Sequence, residues 1–250
     1  MIRSKNLRKF KQLKHGFFNS KGGVSKGIYK SLNCGPGSFD KSNLISTNLK
    51  LVLRKLKSTQ KKLVLLHQVH SNKIFFINKK VKKKLIGDGL LTKNKNLAIG
   101  ILTADCCPIL FYDPKKSIIG AVHAGWKGAF KNIGVKMVSE FKKKGTKLED
   151  LYVAIGPTIS QNSYEVKKDF KHRFLRQKLS NRKFFKIKRN KIYFDLVGYI
   201  YNQMKKSGIK NIEIIKKDTF NPKNNFFSAR RSLKNNFDDY GRNISIIMIK

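Results

Sequence analysis

Apolar residues recur along this chain with two periods. Over residues 43–57, Ile45, Leu49, Val52, Leu53 and Leu56 fall three and four apart, the stripe of a helix packed on one side. Residues 63–69 and 73–77 are short apolar runs that predict strands, with the turn pair Ser71-Asn72 between them. Residues 97–103 and 109–112 predict buried strands, the second closed by Asp113-Pro114. Residues 117–123 predict another. Beyond Gly125 the period lengthens again: Phe130, Ile133, Gly134, Met137, Val138 and Phe141 have helical spacing, and Gly145 suits the stop. Residues 151–155 predict a strand ended by Gly156-Pro157. Leu196, Tyr199, Ile200 and Met204 mark a helix ending near Gly208. Residues 211–215 and 244–249 predict late strands. Hairpin-like neighbours early and strand–helix–strand units later predict one α/β domain with a mixed sheet flanked by helices. The glycine-rich residues 22–37 carry apolar and aromatic side chains between the glycines, as an ordered loop does.

The chain has 250 residues, 40% hydrophobic and 11% aromatic, enough to pack a core despite its charge. No run approaches the roughly 20 apolar residues of a membrane span. The basic opening, residues 1–14, leads into no apolar signal core, and the folded domain is expected over 15–250. Three cysteines, two adjacent, form no disulfide framework, so a reducing, cytoplasmic setting is expected. With 56 Lys plus Arg against 14 Asp plus Glu, the formal charge is +42. The lysines are spread through every segment, and neither an RNP-type motif nor zinc-finger spacing occurs. Diffuse charge of this kind is not expected to give specific nucleic-acid binding, although it draws anions toward any cleft. A basic nucleic-acid binder is the non-enzymatic alternative.

Candidate chemistry sits where apolar runs finish. His70 ends LVLLHQVH, Cys106 and Cys107 follow LAIGILTAD, and His123 ends IIGAVH. Ends of neighbouring strands converge, so a His, a Cys and a His can form a three-ligand zinc site with the fourth tetrahedral position left for water or substrate. Adjacent residues of a strand point to opposite faces, so only one of Cys106 and Cys107 can face a shared site. His67 and His70 also face opposite ways.

Two cationic features follow. HAGWKG, residues 123–128, is a strand–glycine–helix turn of the kind that presents backbone N–H groups to an anion, with Lys127 beside it. Arg230-Arg231 in FFSARRS offers guanidinium forks suited to phosphate. Among the scarce acidic residues, Asp88 in GDGLLT reads as a turn residue. Asp105, next to the cysteines, is a candidate proton carrier.

Together these segments resemble the laccase-domain family, whose members are labelled both multicopper polyphenol oxidase and purine nucleoside phosphorylase. The matching stretches are HGFFNSKGGVSKGIYKSLNCGPGS, HQVHSNKI, GDGLLT, TADCCPILFYD, GAVHAGWKGAF, AIGPTISQNSYEV, and FFSARRS with GRNISIIMI. They run in family order from His15 to the end of the chain. The resemblance implies an α/β/α sandwich and assigns the zinc ligands to His70, Cys106 and His123. Cys107 then holds a position that is aliphatic in the family, and Cys34 and His67 match no ligand. It also implies phosphorolysis of adenosine, inosine, guanosine or methylthioadenosine, and deamination of adenosine. Two departures stand out: Lys127 follows the HAGW stretch where the family has Arg, and Asn19-Ser20-Lys21 replaces a Thr-Arg loop.

On this reading zinc and the groups Lys127, Arg230 and Arg231 neutralise phosphate, and Asp105 moves a proton. The HxE…PCxxC deaminase signature is absent. A multicopper laccase site calls for on the order of ten histidines, and the 5 present disfavour copper relative to zinc. A copper polyphenol oxidase and a zinc hydrolase of cell-wall peptides are the enzyme alternatives.

Overall fold

The computed structural model describes residues 1–78 and 85–250. Helix α1 (Lys5–Arg8), strand β1 (Leu13–Phe17) and helix α2 (Ser42–Lys55) come first. Strands β2 (Lys62–Val64), β3 (Ile74–Phe76), β4 (Gly89–Thr92), β5 (Leu97–Thr103), β6 (Cys107–Asp113) and β7 (Ile118–Ala124) follow. Helices α3 (Trp126–Phe130) and α4 (Ile133–Lys143) lead into β8 (Tyr152–Ile155). The remainder holds β9 (Glu165–Val166), α5 (Lys168–Gln177), β10 (Phe185–Lys188), β11 (Lys191–Phe194), α6 (Leu196–Lys206), β12 (Asn211–Ile214), α7 (Ala229–Lys234) and β13 (Asn243–Ile249).

The mixed α/β class and the helix-flanked mixed sheet are both present, but the sheet is doubled. Of two stacked sheets the larger has the order β12-β8-β6-β7-β4-β3 and the smaller β1-β13-β5-β2, and each contains both parallel and antiparallel pairs; a third, three-stranded sheet is antiparallel in the order β10-β11-β9. Side-chain alternation sorts the core into slabs. Leu97, Ile99, Ile101 and Ile247 from the smaller sheet meet Leu90, Leu110, Ile119 and Ala121 from the larger one. The opposite faces turn to helices. Ile244, Ile246 and Met248 pack under Val52 of α2. Ile109, Phe111 and Val122 pack under Met137 and Phe141 of α4. Both faces of the central strands are buried, which is why they read as continuous apolar runs. Gly120 in β7 leaves room for Phe141, whose ring would lie 2.9 Å from a Cβ there.

Several elements depart from the sequence reading. The strand expected over 63–69 leaves the ladder after Val64. Gln68 then substitutes for backbone, its amide pairing with both Leu102 N (2.9 Å) and Leu102 O (2.7 Å). The helix expected after Gly125 is broken into two by Asn132, at φ +57°. The β10–β11 hairpin turns at Arg189-Asn190, both at positive φ, without the Asn-Gly signal that marks such turns. Among residues 1–14, Leu7 is fully buried in the slab between the sheets, and Ile2 bridges to Phe17. No helix among the described residues is long and apolar enough to cross a membrane.

Candidate metal centre

His70, Cys106 and His123 converge: their ligand atoms lie within 4.8 Å of one another, a set that can hold a metal ion. Three different local devices place them. His123 is the penultimate residue of β7. Cys106 sits in the tight turn between β5 and β6, so it precedes a strand rather than ending one. His70 lies beyond β2 in a left-handed conformation, φ +57°, uncommon for a residue with a side chain.

Asp88 holds two of the three. Its fully buried carboxylate accepts hydrogen bonds from the backbone N–H groups of Val69 (3.3 Å), His70 (3.1 Å) and Ser71 (2.6 Å), and from Ser71 Oγ (2.7 Å). These bonds offset the strain at His70. The same carboxylate meets His123 Nδ1 at 2.7 Å, which leaves Nε2 as the ring nitrogen free to ligate. A carboxylate behind a ligating imidazole is the usual outer partner of a metal-bound histidine. Burial alone would raise the Asp88 carboxyl, but hydrogen bonds from His123 and Ser71 outweigh it and hold it at about 2. The sequence suggested only a turn residue here.

Electrostatics favour the ligating form of the cysteine. Burial opposes ionisation of Cys106, yet the neighbouring His123 and His70 hold its thiol below the ordinary value. Cys107 points the other way, into the core beneath α3 and α4, and burial pushes its thiol up. Cys34 is likewise buried, whereas His67 is exposed. The alternation that left the two thiols undecided is settled by the packing of Cys107.

Close approach depends on Gly125. A Cβ at that position would collide with His70 Nδ1 and lie 2.9 Å from Cys106 Sγ. Its φ of −68° suits any residue, so it is space rather than backbone freedom that calls for glycine.

The centre opens into a cleft of about 740 Å³. Trp126, Tyr164 and Tyr240 line it with aromatic surface, and Arg230 and Arg242 with positive charge. Arg230 lies over the Tyr164 ring, 5.5 Å from its centroid, and donates one N–H to the Glu165 carbonyl (2.9 Å). Arg242 bonds the Tyr240 carbonyl at 2.9 Å. Of these five, only Arg230 stood out in the sequence. Trp126, Tyr164 and Arg242 lie in the family-matching stretches without being singled out there, and Tyr240 lies just outside them.

The remaining expected site residues have other tasks. Arg231 turns away from the cleft, and its guanidinium donates to the carbonyls of Thr219 (2.9 Å), Phe220 (2.8 Å) and Phe226, so it closes the loop that precedes α7. Lys127 is exposed on α3, its Nζ 5.7 Å from the Trp126 ring centroid, and does not line the cleft. Asp105, at φ +83°, has both carboxylate oxygens engaged, by Thr219 Oγ1 (2.6 Å), Ser228 Oγ (2.8 Å) and Arg230 N (2.7 Å). Its carbonyl accepts from Thr158 Oγ1 (2.6 Å) and Ile159 N (3.1 Å). Asp105 therefore ties three loops to the turn that carries Cys106. The carboxyl lies buried in the cleft lining, and burial pushes its pKa up against these hydrogen bonds and the nearby Arg231.

Fold and site define an α/β protein with a His–Cys–His centre at one end of two stacked sheets. Residues 14–250 match the family described as multi-copper polyphenol oxidoreductase laccase, and the chain belongs to that family. A purine nucleoside phosphorylase of Rickettsia conorii is 37% identical over 191 residues, 75% of this chain and 78% of its own. Another, of Bacteroides thetaiotaomicron, is 31% identical and spans 100% of this chain and 96% of its own. The crystal structure of the hypothetical protein YfiH of Bacillus licheniformis superposes with a TM-score of 0.88 at 29% identity, over 97% of this chain and 95% of that one.

Proposed function

We propose that this protein is a zinc-dependent purine nucleoside phosphorylase that also deaminates adenosine. The observation that carries the reading is the three-ligand centre at the floor of a cleft with aromatic and arginine walls, in a chain whose relatives bear the phosphorylase name. The donor set fits zinc: one thiolate and two imidazoles, one of them fixed by Asp88. Among the described residues this is the one such His/Cys cluster, whereas a multicopper oxidase needs several.

His70, Cys106 and His123 would hold the ion. Bound zinc supplies a Lewis acid and lowers the pKa of a coordinated water. The chain's own groups do the rest. Trp126 and Tyr164 give the purine an aromatic wall. Tyr164 and Tyr240 stay protonated because burial pushes both phenols up, so each can donate a hydrogen bond. Arg230 keeps guanidinium donors beyond the one given to Glu165, and these can bind phosphate bidentately. In phosphorolysis a phosphate oxygen bonds to C1′ as the C1′–N9 bond breaks. The electron pair leaves with the base, which takes up a proton. Asp105 acts by holding Arg230 N and the Cys106 turn in register.

Purified, zinc-loaded protein incubated with adenosine tests this. Adenine plus ribose-1-phosphate, formed only when phosphate is present, is expected, with inosine as the second product. Absence of both products from fully metallated protein would refute the proposal.

A further inference from the structure

A second depression lies at the far end of the smaller sheet. Leu13 pairs with Ile249 there, while Asn243 pairs with Thr103 at the metal end, six strand residues or about 20 Å away. The depression is about 260 Å³, and its floor contains Phe10, Leu13 and Leu56. Seven cationic side chains surround it: Arg3, Arg8, Lys11, Lys14, Lys55, Lys57 and Lys250. They come from four separate stretches of chain, namely the α1 region, β1, the end of α2 and the end of β13. No aspartate or glutamate lines it.

In a chain this basic, lysines on a surface mean little. Convergence of seven cations on one concavity whose lining has no acidic side chain is different, because like charges repel, even where six of the seven are exposed and screened, and a bound anion relieves that repulsion. The repulsion is felt by neighbouring groups. Burial and then Lys55 lower the Met1 amino group; burial and then Arg3 lower His15, against the nearby Glu213 carboxylate, which raises it. Lys14 has a fixed position, its Nζ bonded to Lys57 O (2.7 Å) and Ser58 Oγ (3.2 Å), so part of the rim is preorganised.

We propose that this depression is an anion-binding site for a compact oligophosphate, a chain of adjacent phosphates whose attached organic group rests on the apolar floor. Several charges set around one small volume suit linked phosphates better than a single one. The volume of about 260 Å³ suits a small molecule better than an extended strand. The site shares no residue with the metal-centre cleft and does not depend on the phosphorylase reading.

Calorimetric titration of the whole zinc-loaded protein with inorganic tripolyphosphate, and separately with CTP, tests it, a pyrimidine nucleotide being used because the metal-centre cleft is read as taking purines. Saturable binding of one molecule per chain is expected, weakening as salt rises. It should persist in His123→Ala. Replacing exposed Arg8, Lys11 and Lys55 together by alanine should weaken it about tenfold, from the summed loss of three screened charge contacts. Replacing exposed Lys136, Lys142 and Lys205 on α4 and α6 removes the same net charge and should change it less than about threefold. Tighter binding of CTP than of tripolyphosphate would support the role of the floor, and equal binding would refute it. Equal weakening in the two triple variants, many weak sites per chain, or tighter binding of a single-stranded oligonucleotide than of either small ligand would overturn the proposal.

Discussion

Asp88→Asn is the sharpest single perturbation of the metal centre, because it changes one oxygen and no volume. In the native protein Oδ1 accepts from His70 N and His123 Nδ1, and Oδ2 accepts from Val69 N, Ser71 N and Ser71 Oγ. An amide keeps one acceptor. If its oxygen takes the Oδ2 position, its NH2 group faces His70 N–H and His123 Nδ1. His123 can then accept only by moving its proton to Nε2, the nitrogen needed for metal. If the oxygen takes the Oδ1 position, NH2 faces three donors around Ser71, and the left-handed turn at His70 loses its support. Either way at least one charge-assisted bond is lost, each about 1.5–3 kcal/mol. The expected result is a fall in zinc affinity of roughly 10–100-fold, with a lower melting temperature for the metal-free protein. Competition against a chromophoric chelator measures the first and thermal unfolding the second. Zinc affinity within about threefold of wild type, well below the loss of one charge-assisted bond, would refute this account of how the histidines are held.

Gly125→Ala should leave the fold intact, since φ there is −68°, yet weaken zinc binding about tenfold or more by pressing a methyl group onto His70 and Cys106; unchanged zinc content after dialysis against a weak chelator would contradict it. Cys106→Ala should abolish metal retention, whereas Cys107→Val, a near-isosteric change in the core, should cost less than about 1.5 kcal/mol in urea unfolding and leave metal bound; the reverse pattern would reassign the thiol. His15, buried and accepting from Ser4 N at 2.9 Å, is held at about 4, by burial first and then by Arg3, against an ordinary value of 6.5. A depressed folded value means stability that is complete above pH 6.5 and falls as the unfolded chain takes up a proton. Between pH 7 and 5 this amounts to about 2 kcal/mol, which His15→Gln should remove from the acid limb; superimposable stability curves for the two proteins would count against it.

Much of this molecule could be read from its residues, and the rest was hidden for definite reasons. Strands such as β5 and β13 were plain because both faces are buried. The same property conceals that two sheets stack, since continuous burial does not say which neighbour covers a face. Strand β1, LKHGF, and the β10–β11 hairpin carry lysines and lack strong turn residues, so periodicity passes over them. At the site, the expectation that apolar runs end at His70 and His123 points to convergence, although only His123 lies at the end of a strand, and family resemblance is needed to choose His70 and Cys106. Asp88 was noticed as a turn residue, and nothing local tells that its carboxylate spans to His123, 35 residues away. Arg230 and Arg231 are indistinguishable in sequence. Only the fold shows one facing the cleft and the other bonded to backbone carbonyls.

X-ray absorption at the zinc edge of the purified, metal-loaded protein tests the central claim most directly. One zinc per chain is expected, with a single sulfur neighbour at about 2.3 Å and two imidazole nitrogens at about 2.0–2.1 Å, the sulfur signal vanishing in Cys106→Ala. A metal shell without sulfur, or one unchanged in that variant, would contradict it.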